Sequence, residues 1–225
     1  MKNIFKILVV TFVAFLLVGC KEKYSLNYIL HQVEDLSVYE IDGKKYVETT
    51  EKSNYVKIDV EKYGIIIAEL YPEIAPITVN NFQELISKNF YKDFIFHRVI
   101  KDFMIQTGDP NGNGTGGSSQ EIKGEFSANG VINDLSHVRG TLSMARRGSY
   151  PETEQTLNSA SSQFFIVHAD STFLDGNYAA FGSVIHGMDV VDIIASVSTD
   201  DNDKPLVDQK LNSIVFVKEY IGGEI

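Results

Sequence analysis

One segment of the chain combines a guanidinium, an amide and large apolar side chains at the spacing of two strands. Residues 94–110 read FIFHRVIKDFMIQTGDP. Alternate residues of a strand share a face, so Arg98 and Gln106 would supply hydrogen-bonding groups to a surface that Phe103 and Met104 make apolar. No nucleophile in this segment is paired with a base. The pattern favours binding and polarising an amide rather than hydrolysing it.

Patterns elsewhere in the chain predict the elements that position these residues. Residues 76–90 place apolar side chains on one helical face, and Pro76 suits the first turn. A shorter apolar helix is predicted over residues 188–197. Apolar and β-branched runs predict eight strands, at residues 55–60, 64–70, 94–99, 103–107, 139–145, 163–168, 180–185 and 211–217. Because strands and helices do not alternate, we predict a mainly β fold, a closed eight-stranded antiparallel barrel capped by two helices.

Four further sequence blocks follow residues 96–109 along the chain. They read GTGG (114–117), GTLSMA (140–145), SQFFI (162–166) and FLDG (173–176). Over about residues 54–219, the chain resembles the cyclophilin family of peptidyl-prolyl cis–trans isomerases. The resemblance implies a barrel with a substrate groove on its outer face. It also implies rotation about X–Pro bonds with no covalent intermediate, metal or cofactor. We therefore assign residues 54–225 to a cyclophilin-like isomerase domain.

The resemblance also implies roles for individual residues. Arg98 is the implied catalytic residue, because a donor aimed at the proline nitrogen stabilises the twisted imide and has little to hold in the planar forms. Gln106 and the backbone around Ala145 are implied to hold the peptide. The implied substrate-binding residues are Phe103, Met104, Gln106, Ala145, Arg146, Gln163, Phe165, Phe173, Leu174 and Tyr178.

Three features depart from the pattern that is usual in eukaryotic cyclophilins. Phe173 stands where a Trp is usual, which is expected to weaken cyclosporin binding, and Tyr178 stands where a His is usual. Residues 146–161 form a longer loop than the family has at this place, beside the groove. Arg146 replaces a smaller residue, and we hypothesise that it favours acidic residues before the substrate proline.

The N-terminus is typical of an exported lipoprotein. Lys2 and Lys6 precede an apolar run over residues 7–18, which is too short to span a bilayer. The run ends in LVGC, which resembles the bacterial lipobox. This resemblance implies removal of residues 1–19 and acylation of Cys20, which would anchor the protein to a membrane on the extracytoplasmic side of a bacterial envelope. A plain signal peptide with an incidental cysteine is the alternative.

Residues 20–53 separate the predicted lipidation site from the domain. Apolar residues at helical spacing predict a short helix over residues 25–37. Residues 38–47 predict a hairpin with its turn at Asp42 and Gly43. This pattern is consistent both with a spacer and with an extension that docks on the domain.

Composition argues against several classes of function. The chain has 20 Lys and Arg against 30 Asp and Glu, a formal charge of -10, and phosphate contacts need a basic face. We therefore predict no nucleic-acid binding. The single Cys excludes an intramolecular disulfide framework and a Cys-rich metal site. The acidic run at residues 200–203 is interpreted as a solvated turn.

Some residues resemble other kinds of site and have plainer interpretations. Asp109 begins a pattern like that of a calcium loop, but the twelfth place holds Gln120 rather than Glu. Residues 112–117 lack the lysine of a phosphate loop, and their glycines are interpreted as turn residues. His97 is interpreted as a hydrogen-bonded core histidine, because its neighbour Arg98 faces the groove.

The sequence leaves three functions open. The first is an envelope-facing isomerase that assists folding, with proline-containing peptides and unfolded exported proteins as its partners. The second is a proline-peptide binding module without meaningful catalysis. The third is an assembly component in which residues 21–53 recruit a partner. Arg98, Phe103, Gln106 and Phe165 together favour the enzyme, which we expect to be a monomer.

Overall fold

The computed structural model describes residues 38–41 and 43–220. Cys20 with its lipobox and the predicted helix over residues 25–37 lie outside this part of the chain. None of the helices in the described part is long and apolar enough to cross a bilayer.

The described part contains eleven strands and three α-helices. The strands are β1 (Val38–Ile41), β2 (Lys44–Thr49), β3 (Tyr55–Val60), β4 (Gly64–Leu70), β5 (Phe94–Ile95), β6 (Arg98–Ile100), β7 (Met104–Thr107), β8 (Thr141–Met144), β9 (Phe164–Val167), β10 (Ala180–His186) and β11 (Lys210–Glu219). The helices are α1 (Pro76–Ser87), α2 (Glu154–Leu157) and α3 (Met188–Ala195). The two predicted helices are confirmed as α1 and α3, and α2 is a single turn inside the long loop.

The strands form one sheet in the order β1-β2-β11-β3-β4-β10-β8-β9-β7-β6, and β5 pairs with β11. From β2 to β6 along this order, the pairings are antiparallel. A mainly β fold with few helices is therefore confirmed.

The hydrogen-bond ladder is open between β5 and β6. The strand predicted over residues 94–99 is interrupted, because Phe96 donates its N–H to the carbonyl of Gln209 at 2.9 Å and Val99 donates to that of Asp203 at 2.8 Å. These are single bonds to a loop, and within the described residues β6 pairs only with β7. The closed eight-stranded barrel is therefore not confirmed. The sheet also contains β1 and β2, the strands of the hairpin predicted over residues 38–47, in addition to the strands predicted for the barrel.

Aromatic contacts of α1 form the centre of the core. Phe82 is fully buried, and its ring centroid lies 5.1 Å from that of Phe164 and 5.2 Å from that of Phe181. The apolar face predicted for this helix is buried as well. Since Phe164 points into the core, its neighbour Phe165 must face the opposite side of β9.

A buried carboxylate, rather than a capping residue, holds the N-terminus of α1. Ala75 at the N-cap forms no side-chain capping bond. Glu125, which is 2% exposed, accepts the backbone N–H of Ile77 at 3.0 Å and of Thr78 at 2.8 Å. The first N–H groups of a helix have no partner within it, and their dipole favours an anion. Glu125 therefore fixes the start of α1 against the rest of the domain.

The hairpin of β1 and β2 packs on the main sheet. β2 extends the sheet along β11. Lys57, which is almost fully buried, donates to Oε1 of Glu48 at 2.5 Å and to the hydroxyl of Tyr39 at 3.0 Å. A second apolar cluster joins the hairpin to the sheet through Ile41, Tyr46, Ile67 and Val217. Residues 39–41 and 43–49 of the extension are thus docked on the sheet and do not form a free spacer.

We predict that Glu125→Ala lowers the free energy of unfolding by about 2 kcal/mol, because it leaves two helix N–H groups without their acceptor. Glu125→Gln, which keeps one acceptor oxygen, should lose less. Urea denaturation measures both. Glu73→Ala removes an exposed carboxylate near the same helix and is the matched control. Equal stability of the Glu125→Ala and Glu73→Ala proteins would contradict the role of Glu125.

Candidate active site

A row of three side chains crosses β6, β7 and β9. In the antiparallel register, Arg98 lies opposite Gln106, and Gln106 lies opposite Phe165. Directly paired residues project from the same face of a sheet. The register therefore brings a guanidinium and an amide of one segment together with an aromatic ring from a distant strand.

The row borders a hollow of about 150 Å³. Met104, Phe165 and Leu174 are buried and give it an apolar base, against which Phe103 and Tyr178 pack from the side. The residues that line the hollow are Arg98, Phe103, Met104, Gln106, Ala145, Arg146, Phe165, Leu174 and Tyr178. The structure thus brings these nine predicted site residues together and leaves Gln163 and Phe173 outside the lining.

Gln163 lines a neighbouring cavity rather than the hollow, and it orients Gln106. The Nε2 group of Gln106 donates to Oε1 of Gln163 at 2.8 Å. Gln163 is itself fixed, because its Nε2 donates to the carbonyls of Gly116 at 2.7 Å and Gly114 at 3.1 Å. No described residue donates to the amide oxygen of Gln106, so this oxygen can accept a hydrogen bond from a ligand.

The side chain of Arg98 has one polar contact within the described residues. Its Nε donates to Oδ2 of Asp203 at 3.2 Å, and both side chains are about half-exposed. Sequence reasoning missed this contact, because residues 200–203 were interpreted as a solvated turn. The contact joins a strand to a loop that is distant in the chain, so no local sequence pattern predicts it.

Comparisons with known proteins agree with this geometry. Residues 55–215 match the family described as "Cyclophilin type peptidyl-prolyl cis-trans isomerase/CLD". The chain belongs to the cyclophilins. It is therefore an isomerase of the peptidyl-prolyl cis–trans class.

Individual relatives share the same enzyme class. "Peptidyl-prolyl cis-trans isomerase-like 1" of Emericella nidulans is 42% identical over 149 residues, which make up 66% of this chain and 86% of that protein. "Peptidyl-prolyl cis-trans isomerase-like 2" of Rhizopus delemar is 40% identical over 171 residues, 75% of this chain. This match spans only 30% of the Rhizopus delemar protein. The match to a long Arabidopsis thaliana relative likewise spans only 23% of that protein.

A solved cyclophilin structure has the same fold. The crystal structure of a Cryptosporidium parvum cyclophilin-type isomerase, obtained in the presence of the dipeptide Ala-Pro, superposes with a TM-score of 0.63 at 33% identity. The superposition covers 72% of this chain and 97% of that chain. The fold of this chain is thus the cyclophilin fold.

In this cyclophilin, the charge of Arg146 is paired with a carboxylate of the same chain. Its side chain is only 4% exposed, and its Nη2 lies 2.6 Å from Oε1 of Glu152. The Cζ atom of the guanidinium lies 4.8 Å from the ring centroid of Tyr178 and 5.3 Å from that of Phe126. The Nε group of Arg146 donates to the carbonyl of Asn177 at 3.0 Å. The hypothesis that Arg146 favours acidic substrate residues is not supported, because Glu152 already pairs with its charge. Arg146 instead ties the long loop to the wall of the hollow.

Phe173 lies at the rim of the cyclophilin site. It is 71% exposed, and its ring centroid is 5.5 Å from that of Phe103, with an angle of 35° between the planes. Phe173 therefore borders the hollow through Phe103 and does not line it.

A second and larger cavity of about 370 Å³ shares Gln106, Ala145 and Arg146 with the hollow. Its other walls come from the glycine-rich loop and from the long loop of residues 146–161. Across this cavity, Arg147 pairs with Glu121 at 2.6 Å. The loop of residues 146–161 thus builds part of the groove beside the hollow.

Asp109 organises the glycine-rich loop. Its carboxylate accepts the backbone N–H groups of Asn111 at 2.8 Å, Asn113 at 3.0 Å and Gly114 at 2.6 Å. Burial alone would raise the pKa of Asp109, but these three donors lower it. The calcium-like spacing therefore reflects a carboxylate that holds its own loop.

Two buried histidines lie near the site. His97 is 4% exposed and faces inward as predicted, but neither ring nitrogen has a hydrogen-bond partner among the described residues. The side chain of Gln163 nevertheless interacts with the His97 ring and acts to raise its pKa against the effect of burial, so the interpretation of a core histidine stands without a short hydrogen bond. Under Phe165, His137 lies 2.7 Å from Oδ1 of Asp175 and 2.9 Å from Oγ of Ser143. Burial lowers the pKa of both histidines, although nearby carboxylates act in the opposite direction.

We predict that His97 makes the domain less stable in weak acid. A histidine whose pKa is lowered by folding contributes its full stability above its unfolded pKa of about 6.5, and the contribution is lost as the pH falls below that value. His97→Gln should therefore lose less free energy of unfolding between pH 7 and pH 5 than the wild type. Urea denaturation at both pH values measures this. The exposed His186→Gln is the control, and equal losses in the His97→Gln and wild-type proteins would refute the prediction.

Proposed function

We propose that Arg98 catalyses rotation about X–Pro bonds by donating a hydrogen bond to the proline nitrogen. Rotation faces a barrier of about 18–20 kcal/mol, because the amide resonance is lost midway. In the twisted state the nitrogen becomes pyramidal and regains its lone pair. A donor aimed at this nitrogen stabilises the twisted state and not the planar isomers, which is the requirement for catalysis.

A hydrogen bond from a single residue can account for a substantial acceleration of this rotation. A hydrogen bond from a charged donor contributes about 1.5–3 kcal/mol. Since about 1.4 kcal/mol corresponds to a tenfold change in rate, such a bond accounts for roughly a 10- to 150-fold acceleration. An arginine suits the role because its guanidinium stays protonated and carries several donors in a fixed plane.

The hollow would hold the proline ring while the preceding carbonyl turns. Met104, Phe165 and Leu174 offer buried apolar surface at its base. Polar groups at the rim would hold the peptide on either side of the ring. The oxygen of Gln106 can accept a peptide N–H, and since the N–H of Ala145 already donates to the carbonyl of Gln163 at 3.0 Å, Ala145 would offer its own carbonyl.

The observation that carries this proposal is the placement of Arg98, which lies opposite Gln106 at the edge of the apolar hollow. We expect the Nη groups to donate to the substrate, because Asp203 occupies Nε. The proposal needs no proton transfer and no covalent step.

We predict that Arg98→Ala lowers kcat/KM at least tenfold without unfolding the protein, because the donor is lost while the hollow stays intact. Arg98→Lys should give an intermediate value. A protease-coupled assay with a proline tetrapeptide measures turnover, and circular dichroism checks the fold. Arg139→Ala is the matched control, because Arg139 pairs with Asp192 away from the hollow. Full turnover by Arg98→Ala would remove the mechanism.

We further propose that the protein acts on exported proteins while anchored by lipid to the extracytoplasmic face of a bacterial envelope. The support is the sequence of residues 1–20, with its basic start, apolar run and LVGC ending. We also propose that cyclosporin binds weakly, since Phe173 lacks the indole N–H and the larger face of tryptophan.

We predict that the full-length chain, expressed in bacteria, sediments with membranes and incorporates labelled palmitate. Cys20→Ser should lose the label and shift the protein to the soluble fraction, because several acyl chains on one residue provide stable anchoring. Arg98→Ala should remain membrane-bound and serves as the control. Membrane association and labelling that survive Cys20→Ser would contradict the lipid anchor.

A further inference from the structure

The acidic run at residues 200–203 contacts the proposed catalytic residue. We propose that Asp203 is a positioning residue, which sets the direction in which the Arg98 guanidinium presents its donors. This inference rests on the catalytic role proposed for Arg98.

Asp203 holds one edge of the guanidinium. Its Oδ2 accepts from Nε of Arg98 at 3.2 Å. The guanidinium is planar, and its five N–H donors form a rigid fork. A bond at Nε therefore restricts the direction of both Nη groups. Neither Nη group forms a hydrogen bond with another of the described residues, and the side chain borders the hollow.

The backbone of Asp203 is tied to the strand that carries Arg98. Its carbonyl accepts the N–H of Val99 at 2.8 Å, and its own N–H donates to the carbonyl of Asp200 at 3.1 Å. Asp203 has a φ of 64°, in the left-handed region that Asp and Asn tolerate better than most residues. Val99 thus fixes the backbone of Asp203, and its neighbour in β6 is Arg98, whose guanidinium the Asp203 carboxylate contacts.

Each acidic residue of the run has a different environment. The carboxylate of Asp200 closes the loop, because its Oδ1 accepts the N–H of Asn202 and of Lys204, both at 2.9 Å. Asp201 is exposed, and its side chain forms no hydrogen bond with the described residues. Only Asp203 among the three contacts Arg98 within the described part of the chain. Asp201 therefore offers a matched change of charge in the same loop.

The alternative is an ordinary surface ion pair. The side chains of Arg98 and Asp203 are 43% and 42% exposed, and exposed pairs contribute little to stability. A purely structural pair would therefore leave both turnover and stability nearly unchanged. A positioning role predicts a loss in kcat beyond any change in stability, because a small misplacement of a catalytic group is costly in rate.

The test compares Asp203→Ala, Asp203→Asn and Asp201→Ala in the full chain. Asp203→Gly, which takes the positive φ without strain but lacks the carboxylate, controls for the backbone and should lower kcat as Asp203→Ala does. Asp203→Ala should lower kcat by about three- to tenfold while KM changes by less than about twofold, since the donor is misdirected but the hollow is intact. Asp203→Asn, whose amide oxygen can accept from Nε, should keep at least about half of the wild-type kcat. Asp201→Ala should equal the wild type. A wild-type kcat for Asp203→Ala, or equal losses in the Ala and Asn variants, would overturn the proposal.

A double variant separates this inference from the function on which it rests. If Asp203 acts through Arg98, adding Asp203→Ala to an impaired Arg98→Ala protein should change kcat by less than about twofold. A further drop of the same size as in the wild-type background would refute the positioning role. If Arg98→Ala is impaired and Asp203→Ala is not, only the positioning role fails. If Arg98→Ala keeps full turnover, both proposals fail.

Discussion

The antiparallel register of β6, β7 and β9 is the constraint on which the site depends. Arg98, Gln106 and Phe165 share a face only because they are directly paired. A slip of one residue would turn a strand's side chains to the opposite face. Packing in the core prevents this, since Phe164 contacts Phe82 of α1. The geometry of the site is therefore a consequence of core packing on the other side of the same strands.

Partners outside the hollow fix each polar group at its rim. Asp203 holds Arg98, Gln163 holds Gln106, and Glu152 holds Arg146. Donors and dipoles that are oriented before the substrate arrives need no reorganisation during the reaction. All three partners lie outside the strands and helices, and none of them lines the hollow itself.

Local patterns and sequence blocks predicted much of the architecture. Both long helices follow from their apolar faces, and seven of the nine residues of the hollow lie in blocks that resemble the family, with Arg146 and Tyr178 just outside them. The open ladder between β5 and β6 was not predicted, because the strand pattern of residues 94–99 is continuous while the bonds of Phe96 and Val99 go to a loop. The contact of Asp203 and the burial of Arg146 were not predicted either, since both depend on residues distant in the chain.

The most direct test of the central idea compares binding with interconversion on the enzyme. Exchange NMR on a proline peptide at saturating enzyme measures the rate at which the bound isomers interchange, and a titration measures their affinity. For Arg98→Ala we predict an affinity within about twofold of the wild type and an interchange rate at least about tenfold slower, because the guanidinium acts on the twisted state alone. Equal losses of affinity and rate, or an unchanged rate, would contradict selective stabilisation by Arg98.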